Sequence, residues 1–307
     1  MIARAAALKE LTAERFDVVV IGGGVTGAGA ALDAASRGYS TAIVERDDWA
    51  IGTSSRSSKM VHGGLRYLQN FDLGLVREAL LERQLMVHLA PHLVYPTPFL
   101  VPQLGDDRRD VKVGIGLNMY DVMATTRVGQ GRRQRGTRRE RDRVAELAAD
   151  GAAVPPESWS PDRHRTIPGA EVEELIPALA PREPKSAYLF YDCQTDDVRL
   201  VLTILGEAER YGAVMANRLE ATSLLERNGR ADGVVCRCGE SGDVVEIQAD
   251  NVINATGVWA DRIRPDEILD EAEVPRIAPS RGTHLTLPLE LLPLNNAACI
   301  VPAGSGR

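Results

Sequence analysis

Residues 16–67 read FDVVVIGGGVTGAGAALDAASRGYSTAIVERDDWAIGTSSRSSKMVHGGLRY, and this stretch decides the fold. Val18 to Ile21 is a short β-branched run bounded by glycines, the pattern of a buried parallel strand before a tight turn into a helix. Gly22, Gly24 and Gly27 fall at G-x-G-x-x-G spacing. The first lets the chain turn off the strand, the second lets backbone approach a pyrophosphate, and the third lets the helix pack on the sheet. Thr26 sits in the same turn, where a helix N-terminus offers free N–H groups and the positive end of its dipole. Alanine dominates Ala28 to Ser36, and Gly38 is placed to end the helix. A second strand, Thr41 to Val44, delivers Glu45, about where a carboxylate can accept both hydroxyls of an adenosine ribose. The acid would repel a 2′-phosphate, so NADP is disfavoured and the choice narrows to NAD or FAD.

The residues after Glu45 favour FAD. Where an NAD enzyme would begin its next helix, this chain continues through Thr53, Ser54, Ser58, Lys59 and Met60 to His62, Gly63 and Gly64. Such a loop offers hydroxyls and backbone donors to phosphate and ribityl oxygens, and its paired glycines permit approach to a flat ring. The plainer alternative is a solvated surface loop, against which Lys59, His62, Arg66 and Tyr67 stand out.

Composition sets outer bounds. The chain has 307 residues, a net charge of -7 and four cysteines. That length suits two modest cores or one large one. The acidic balance, with a pI near 5.4, argues against nucleic-acid binding. Cys236 and Cys238 are too closely spaced for a zinc knuckle, so the cysteines read as reduced structural thiols of a cytoplasmic protein and no metal is expected. The first seventeen residues form a mixed-charge helical lead-in without the apolar core of a signal peptide, and no run of ~18 apolar residues occurs. Between Arg127 and Arg143 lie eight arginines, read first as a solvated loop and alternatively as a contact for anionic lipid. Val111 to Ala124 reads as an amphipathic helix packed on its own domain, with a membrane-facing helix as the alternative.

Helices are expected over Leu73–Leu89 and Val198–Tyr211, and the proline-containing stretch Pro91–Pro102 is expected to stop the first. From Pro91 to Pro184 the pattern reads as partly helical and partly irregular rather than as a second compact core. Short strands are expected at 186 onward, 213–217, 221–225, 233–237 and 244–248, with Asn228-Gly229 and Ser241-Gly242 as turns. An apolar strand then runs through Val252 into a turn at Gly257.

Ile21–Gly38 and Thr53–Leu68 together resemble the FAD-dependent glycerol-3-phosphate dehydrogenases, on the pattern I-G-G-G-x-x-G-x-G-x-A-x-D-x-x-x-R-G, met at every position. The likeness continues in LVREALLERQ (75–84), APHLVYPTPFLVP (90–102), GIGLNMYD (114–121), YDCQTDDVRLVL (191–202), INATGVWAD (253–261) and PSRGTHLTLP (279–288). It implies an α/β chain: an FAD-binding Rossmann-like domain of the glutathione-reductase/D-amino-acid-oxidase type with a partial substrate (cap) domain. On this expectation residues 1–92 and 186–262 form a discontinuous FAD-binding domain, 93–185 an inserted helical and irregular segment, and 263–307 the truncated start of the cap. The implied reaction is oxidation of sn-glycerol 3-phosphate to dihydroxyacetone phosphate, with electrons passed to a quinone. The implied setting is cytoplasmic, peripheral on the inner face of the cell membrane, with a homodimer among the assemblies allowed.

By the same resemblance Arg66 and Tyr67 match substrate-pocket positions, His284 matches a histidine proposed as base, and His62 packs beside a noncovalent flavin. Thr256 and Gly257 become FAD neighbours. The family's later G-T-T-D, G-x-R-P-L and G-G-K-x-T-x-Y-R segments do not occur here, so the expectation is of a shortened chain whose own activity is in doubt. Two alternatives stay open. A related flavin amine or amino-acid oxidase is disfavoured by the combined SSK-x-x-HGGLRY run; the other is an FAD-binding remnant without turnover.

Overall fold

The computed structural model describes residues 4–64, 72–104, 111–125, 163–263, 277–280, 282–295 and 297–300. The chain divides into two units: Met1–Lys59 with Asp196–His284, and Met60–Thr195 with Leu285–Arg307.

The first unit is built on a six-stranded sheet. Its strands are β1 (Arg15–Ile21), β2 (Thr41–Val44), β7 (Val214–Ala216), β8 (Leu219–Arg227), β9 (Arg230–Cys238) and β10 (Val244–Asn254), in the order β7-β2-β1-β10-β9-β8. The first four in that order run parallel, and β9 and β8 add an antiparallel edge. Successive side chains of β1 enter opposite cores. Val19 and Ile21 pack with Ala7 and Leu11 of α1 (Arg4–Ala13) and with Val234 and Ile247. Val18 and Val20 pack with α2 (Val25–Ser36) and a later helix through Ala28, Ala31, Val201 and Leu205. A strand covered on both faces has no polar alternation, which is why β1 reads as a continuous apolar run.

The helix after α2 in this unit is Asp197–Arg210, opened by Asp196, whose Oδ1 accepts the Arg199 N–H at 3.2 Å. Gly38 has φ +89, the left-handed position just past the end of α2. The two short strands expected over 244–248 and 252–257 are one long β10, because it pairs with β9 at one end and β1 at the other.

The second unit corrects the expected domain boundaries. β3 (Met60–Val61), β4 (Val94–Gln103), β5 (Arg165–Pro168), β6 (Ser186–Thr195) and β11 (Ala298–Cys299) form one five-stranded sheet. Residues 60–92 and 186–195 therefore belong here and not with the dinucleotide strands, and 93–185 contributes strands to a compact core. The cause is the ten-pair antiparallel ladder between β4 and β6, from Val94↔Thr195 to Gln103↔Ser186.

The prolines of β4 explain why the sequence reads otherwise. Pro96, Pro98 and Pro102 share parity with Leu100, whose carbonyl accepts the Ile300 N–H on the β11 side. Their missing N–H groups thus point away from β6, and the long ladder is unbroken. Among the described residues the unit also carries the helices α3 (Leu73–Leu89), α4 (Val111–Thr125) and α5 (Gly169–Leu175); in chain order the helix Asp197–Arg210 is α6. Asp72 caps α3 through the Leu75 N–H at 3.1 Å. The arginine-rich segment 127–143 lies outside the described residues. Among the described residues no helix is long and apolar enough to cross a membrane, and no group of metal-ligating side chains gathers. Cys193, Cys236, Cys238 and Cys299 are free.

Candidate dinucleotide groove

The parallel strands β1, β2 and β10 end together, and the loops leaving them enclose a cavity of about 670 Å³ within the first unit. That volume lies inside the ~300–1,000 Å³ range of small-molecule sites. The chain turns off β1 at Gly22 with φ +109, and a Cβ there would stand 2.6 Å from the Ala255 carbonyl oxygen. A Cβ on Gly27 would collide with the Gly22 carbonyl. These two glycines are therefore dictated by backbone crossing backbone, as the spacing in the sequence implies.

The loop is ordered by its own side chains. Glu45 Oε2 accepts the Gly23 N–H at 2.7 Å, and Oε1 accepts the Asp47 N–H at 2.9 Å. A carboxylate offers about four lone-pair positions, so acceptor capacity remains for a ribose diol. Ser54 Oγ accepts the Val25 N–H at 2.9 Å, capping the first turn of α2 from the Ser/Thr-rich loop. This brings Ser54 close to Gly24, where a Cβ would lie 3.1 Å from that hydroxyl oxygen. The next N–H groups of α2 have no intrahelical acceptor by their position, and the helix dipole adds positive potential there.

Of the expected cofactor residues, the groove wall brings together Gly22, Gly24, Thr26, Glu45, Thr53, Ser54, Thr256 and Gly257, with Gly27 buried directly behind it. Ser58 and Lys59 are exposed and outside the wall. Lys59 instead pairs with Asp197 at the start of α6, Nζ to Oδ1 2.5 Å, and Ser57 donates to the other oxygen at 2.8 Å. Burial works to raise the Asp197 carboxyl, but these hydrogen bonds prevail and hold it below the usual carboxylate range. Met60, His62 and Gly63 belong to the second unit. His284 is exposed on an irregular stretch rather than a strand and is not part of the groove wall. Arg66 and Tyr67 lie outside the described residues.

Sequence reading missed the aromatic and cationic parts of the wall. Trp259 covers one side, with the Arg46 guanidinium 5.0 Å from its ring centroid. The Trp49 ring backs Gly23, leaving no room for a Cβ. Trp259 stands inside the INATGVWAD segment and Arg46 follows Glu45 directly, so the residues were in view; only their mutual placement was not.

The residues fit an FAD. The chemistry of the donors matches its parts: helix N–H groups for a pyrophosphate, a carboxylate for a ribose, and glycines whose close contacts keep the loop backbone bare. Comparison with known proteins agrees. The model of the FAD dependent oxidoreductase family matches residues 17–304. Glycerol-3-phosphate dehydrogenase 2 of Mycobacterium tuberculosis is 40% identical over 286 residues, covering 93% of this chain and 43% of the relative. Alpha-glycerophosphate oxidase of Lactococcus lactis is 32% identical over 295 residues, covering 95% and 43% respectively. The crystal structure of glycerol-3-phosphate dehydrogenase from Bacillus halodurans, complexed with FAD, superposes with a TM-score of 0.57 at 28% identity, over 84% of this chain and 37% of that one. The chain thus spans less than half the length of these relatives.

Proposed function

Because this chain belongs to the FAD dependent oxidoreductase family, we propose that it contributes the cofactor-binding part of an enzyme that oxidises sn-glycerol 3-phosphate to dihydroxyacetone phosphate. The observation that carries the cofactor half is the groove at the ends of β1, β2 and β10, with Glu45 and the α2 N-terminus on its wall. The substrate half is supported by the SSK-x-x-HGGLRY run and by what the relatives are named for.

In this reading Gly22, Gly24 and Thr26 receive the pyrophosphate, Glu45 the adenosine ribose, and Thr53, Ser54, Thr256 and Gly257 flank the remainder. FAD, when bound, supplies the two-electron acceptor that no side chain provides. The protein's own tasks are to hold a dianionic phosphate, orient C2 and take one proton. Arg66 offers a charge-assisted donor fork and Tyr67 a hydroxyl of the same loop, both matching substrate-pocket positions by the resemblance. His284 takes the proton of the C2 hydroxyl at a ring nitrogen. A quinone as final acceptor, at the inner face of the cell membrane, belongs to the same proposal and rests on the family resemblance alone.

The test is an anaerobic visible spectrum of the purified chain loaded with FAD, before and after sn-glycerol 3-phosphate. Bleaching of the oxidised-flavin band is expected, with glycine and proline as inert comparators. A flavin reduced by an amino acid and not by the phosphate would transfer the chain to the amine-oxidising branch.

A further inference from the structure

The loop that carries Thr53 and Ser54 onto the groove wall is fastened at both ends, entirely within the first unit. At its near end the Ala50 N–H donates to the Gly23 carbonyl at 2.9 Å, and Ser54 Oγ accepts the Val25 N–H of α2. At its far end Asp197, in the first turn of α6 with a side chain 10% exposed, takes Lys59 Nζ on Oδ1 and the Ser57 hydroxyl on Oδ2. Between these anchors the Ser55 and Arg56 N–H groups donate to the Gly52 and Thr53 carbonyls, so the intervening turn is closed on itself.

A hydroxyl has one proton, while a carboxylate only accepts. The Ser57 proton is therefore committed to Asp197, and its oxygen accepts the Lys59 N–H at 3.0 Å. Asp197, Ser57 and Lys59 form a closed ring in which every bond has a fixed direction. Oδ1 also accepts the Val198 N–H at 3.0 Å, which holds the carboxylate on a helix N-terminus whose dipole favours an anion.

The ring keeps Lys59 in a backbone conformation that its side chain disfavours. Lys59 has φ +59, the left-handed region where a residue with a Cβ is strained. Glycine suits that backbone, so the conformation alone gives no reason for a lysine. Its side chain is 47% exposed, and an ion pair of that kind adds little to global stability. What the pair does is local, because of the helix that receives it. α6 packs on α2 through Val201 and Leu205 with Ala28 and Ala31, and Trp49 of the loop joins the same core. A loop tied to α6 is thereby tied to α2, the helix whose N-terminus opens on the groove.

We propose that Asp197, acting through Ser57 and Lys59, is the positioning residue that seats Ser54 over the first turn of α2 and so shapes the pyrophosphate end of the groove. Lys59, expected from the sequence to meet the cofactor, works instead through Asp197. The proposal rests on the FAD reading given above, and its test separates the two. FAD affinity, and amide hydrogen exchange at Val25 and across 52–59, are measured on the purified chain with and without FAD. The variants are Lys59→Gly, Asp197→Asn and the two combined, with Arg210→Met removing an exposed ion pair at the far end of α6 as the control.

Lys59→Gly relieves the backbone as it removes the ammonium, so its cofactor-free Tm should stay within about 4 °C of the parent. Exchange at Val25 should nonetheless rise at least ~10-fold, and FAD should bind ~5–20-fold more weakly. Asp197→Asn takes a negative charge away from the surroundings of an anionic cofactor, which by charge alone would tighten binding. A weakening like that of Lys59→Gly is expected instead, with the double variant within about twofold of the weaker single one. Arg210→Met should match the parent in both readouts. Tighter FAD binding by Asp197→Asn, or losses that add in the double variant, overturns the proposal in favour of a direct contact between Lys59 and FAD. Unchanged exchange at Val25 overturns it as well. If the parent chain binds no FAD, the cofactor reading fails, and exchange in the cofactor-free chain still decides whether the ring seats Ser54.

Discussion

Replacing Asp192 by Asn keeps the shape of a buried side chain and deletes its charge. In the native protein that carboxylate takes Arg83 Nη1 at 2.5 Å and the Tyr120 hydroxyl at 2.8 Å. The amide retains one oxygen for two donors, and its NH2 group faces one of them. The guanidinium keeps the Tyr191 carbonyl at 3.2 Å but loses its charge pair with Asp192. Breaking a buried pair in this way costs about 3–5 kcal/mol. For a unit of about 150–250 residues each kcal/mol moves Tm by roughly 2–4 °C, so a fall of about 6–20 °C is expected. Calorimetry and urea unfolding of the second-unit transition measure it. The double variant Arg83→Met with Asp192→Leu removes both charges together, and it should recover at least ~1 kcal/mol relative to the sum of the two single changes. An Asp192→Asn protein within ~1 kcal/mol of the parent, or a double variant that is simply additive, would refute the claim that these groups act as one desolvated unit.

Three further outcomes follow from the groove and its supports. Glu45→Gln trades a carboxylate that accepts from Gly23 and Asp47 for a group with one acceptor. FAD affinity should fall by about 1–3 kcal/mol, roughly 5–150-fold, in a flavin-fluorescence titration. Gly22→Ala forces a Cβ into the left-handed backbone position 2.6 Å from the Ala255 carbonyl oxygen, and it should abolish FAD retention while lowering Tm. Asp197→Asn removes a carboxyl held low in the folded state by Lys59 and Ser57. A depressed carboxyl stabilises above its unfolded pKa, so the Tm deficit should be full at neutral pH and shrink as pH falls below ~4.

The sequence was most legible where one periodicity and one turn chemistry acted together. The first strand, its glycine turn, α2, β2 and Glu45 stand where their residues place them, because each position is constrained locally. Leu73–Leu89 likewise carries its own cap at Asp72. The second unit was harder to read, since β4 has three prolines and its strand character depends on a partner ninety residues away, β6. Only the register shows that the prolines share the parity facing away from that partner. The buried network was hidden for a similar reason. Arg83, Tyr120 and Asp192 all fall inside segments that carry the family resemblance, yet an arginine in an amphipathic helix reads as solvated until the strand that neutralises it is known. The groove's Trp259–Arg46 wall joins residues more than two hundred positions apart, a distance over which spacing says nothing.

Whether the first unit's groove holds FAD is read from titration of the purified chain with FAD, NAD and NADP. Bound nucleotide would be counted after gel filtration, with Glu45→Gln alongside. One FAD is expected to be retained per chain, with a weaker complex for the variant and no retention of NADP. A chain that retains no FAD, or that holds NADP as well as it holds FAD, would contradict it.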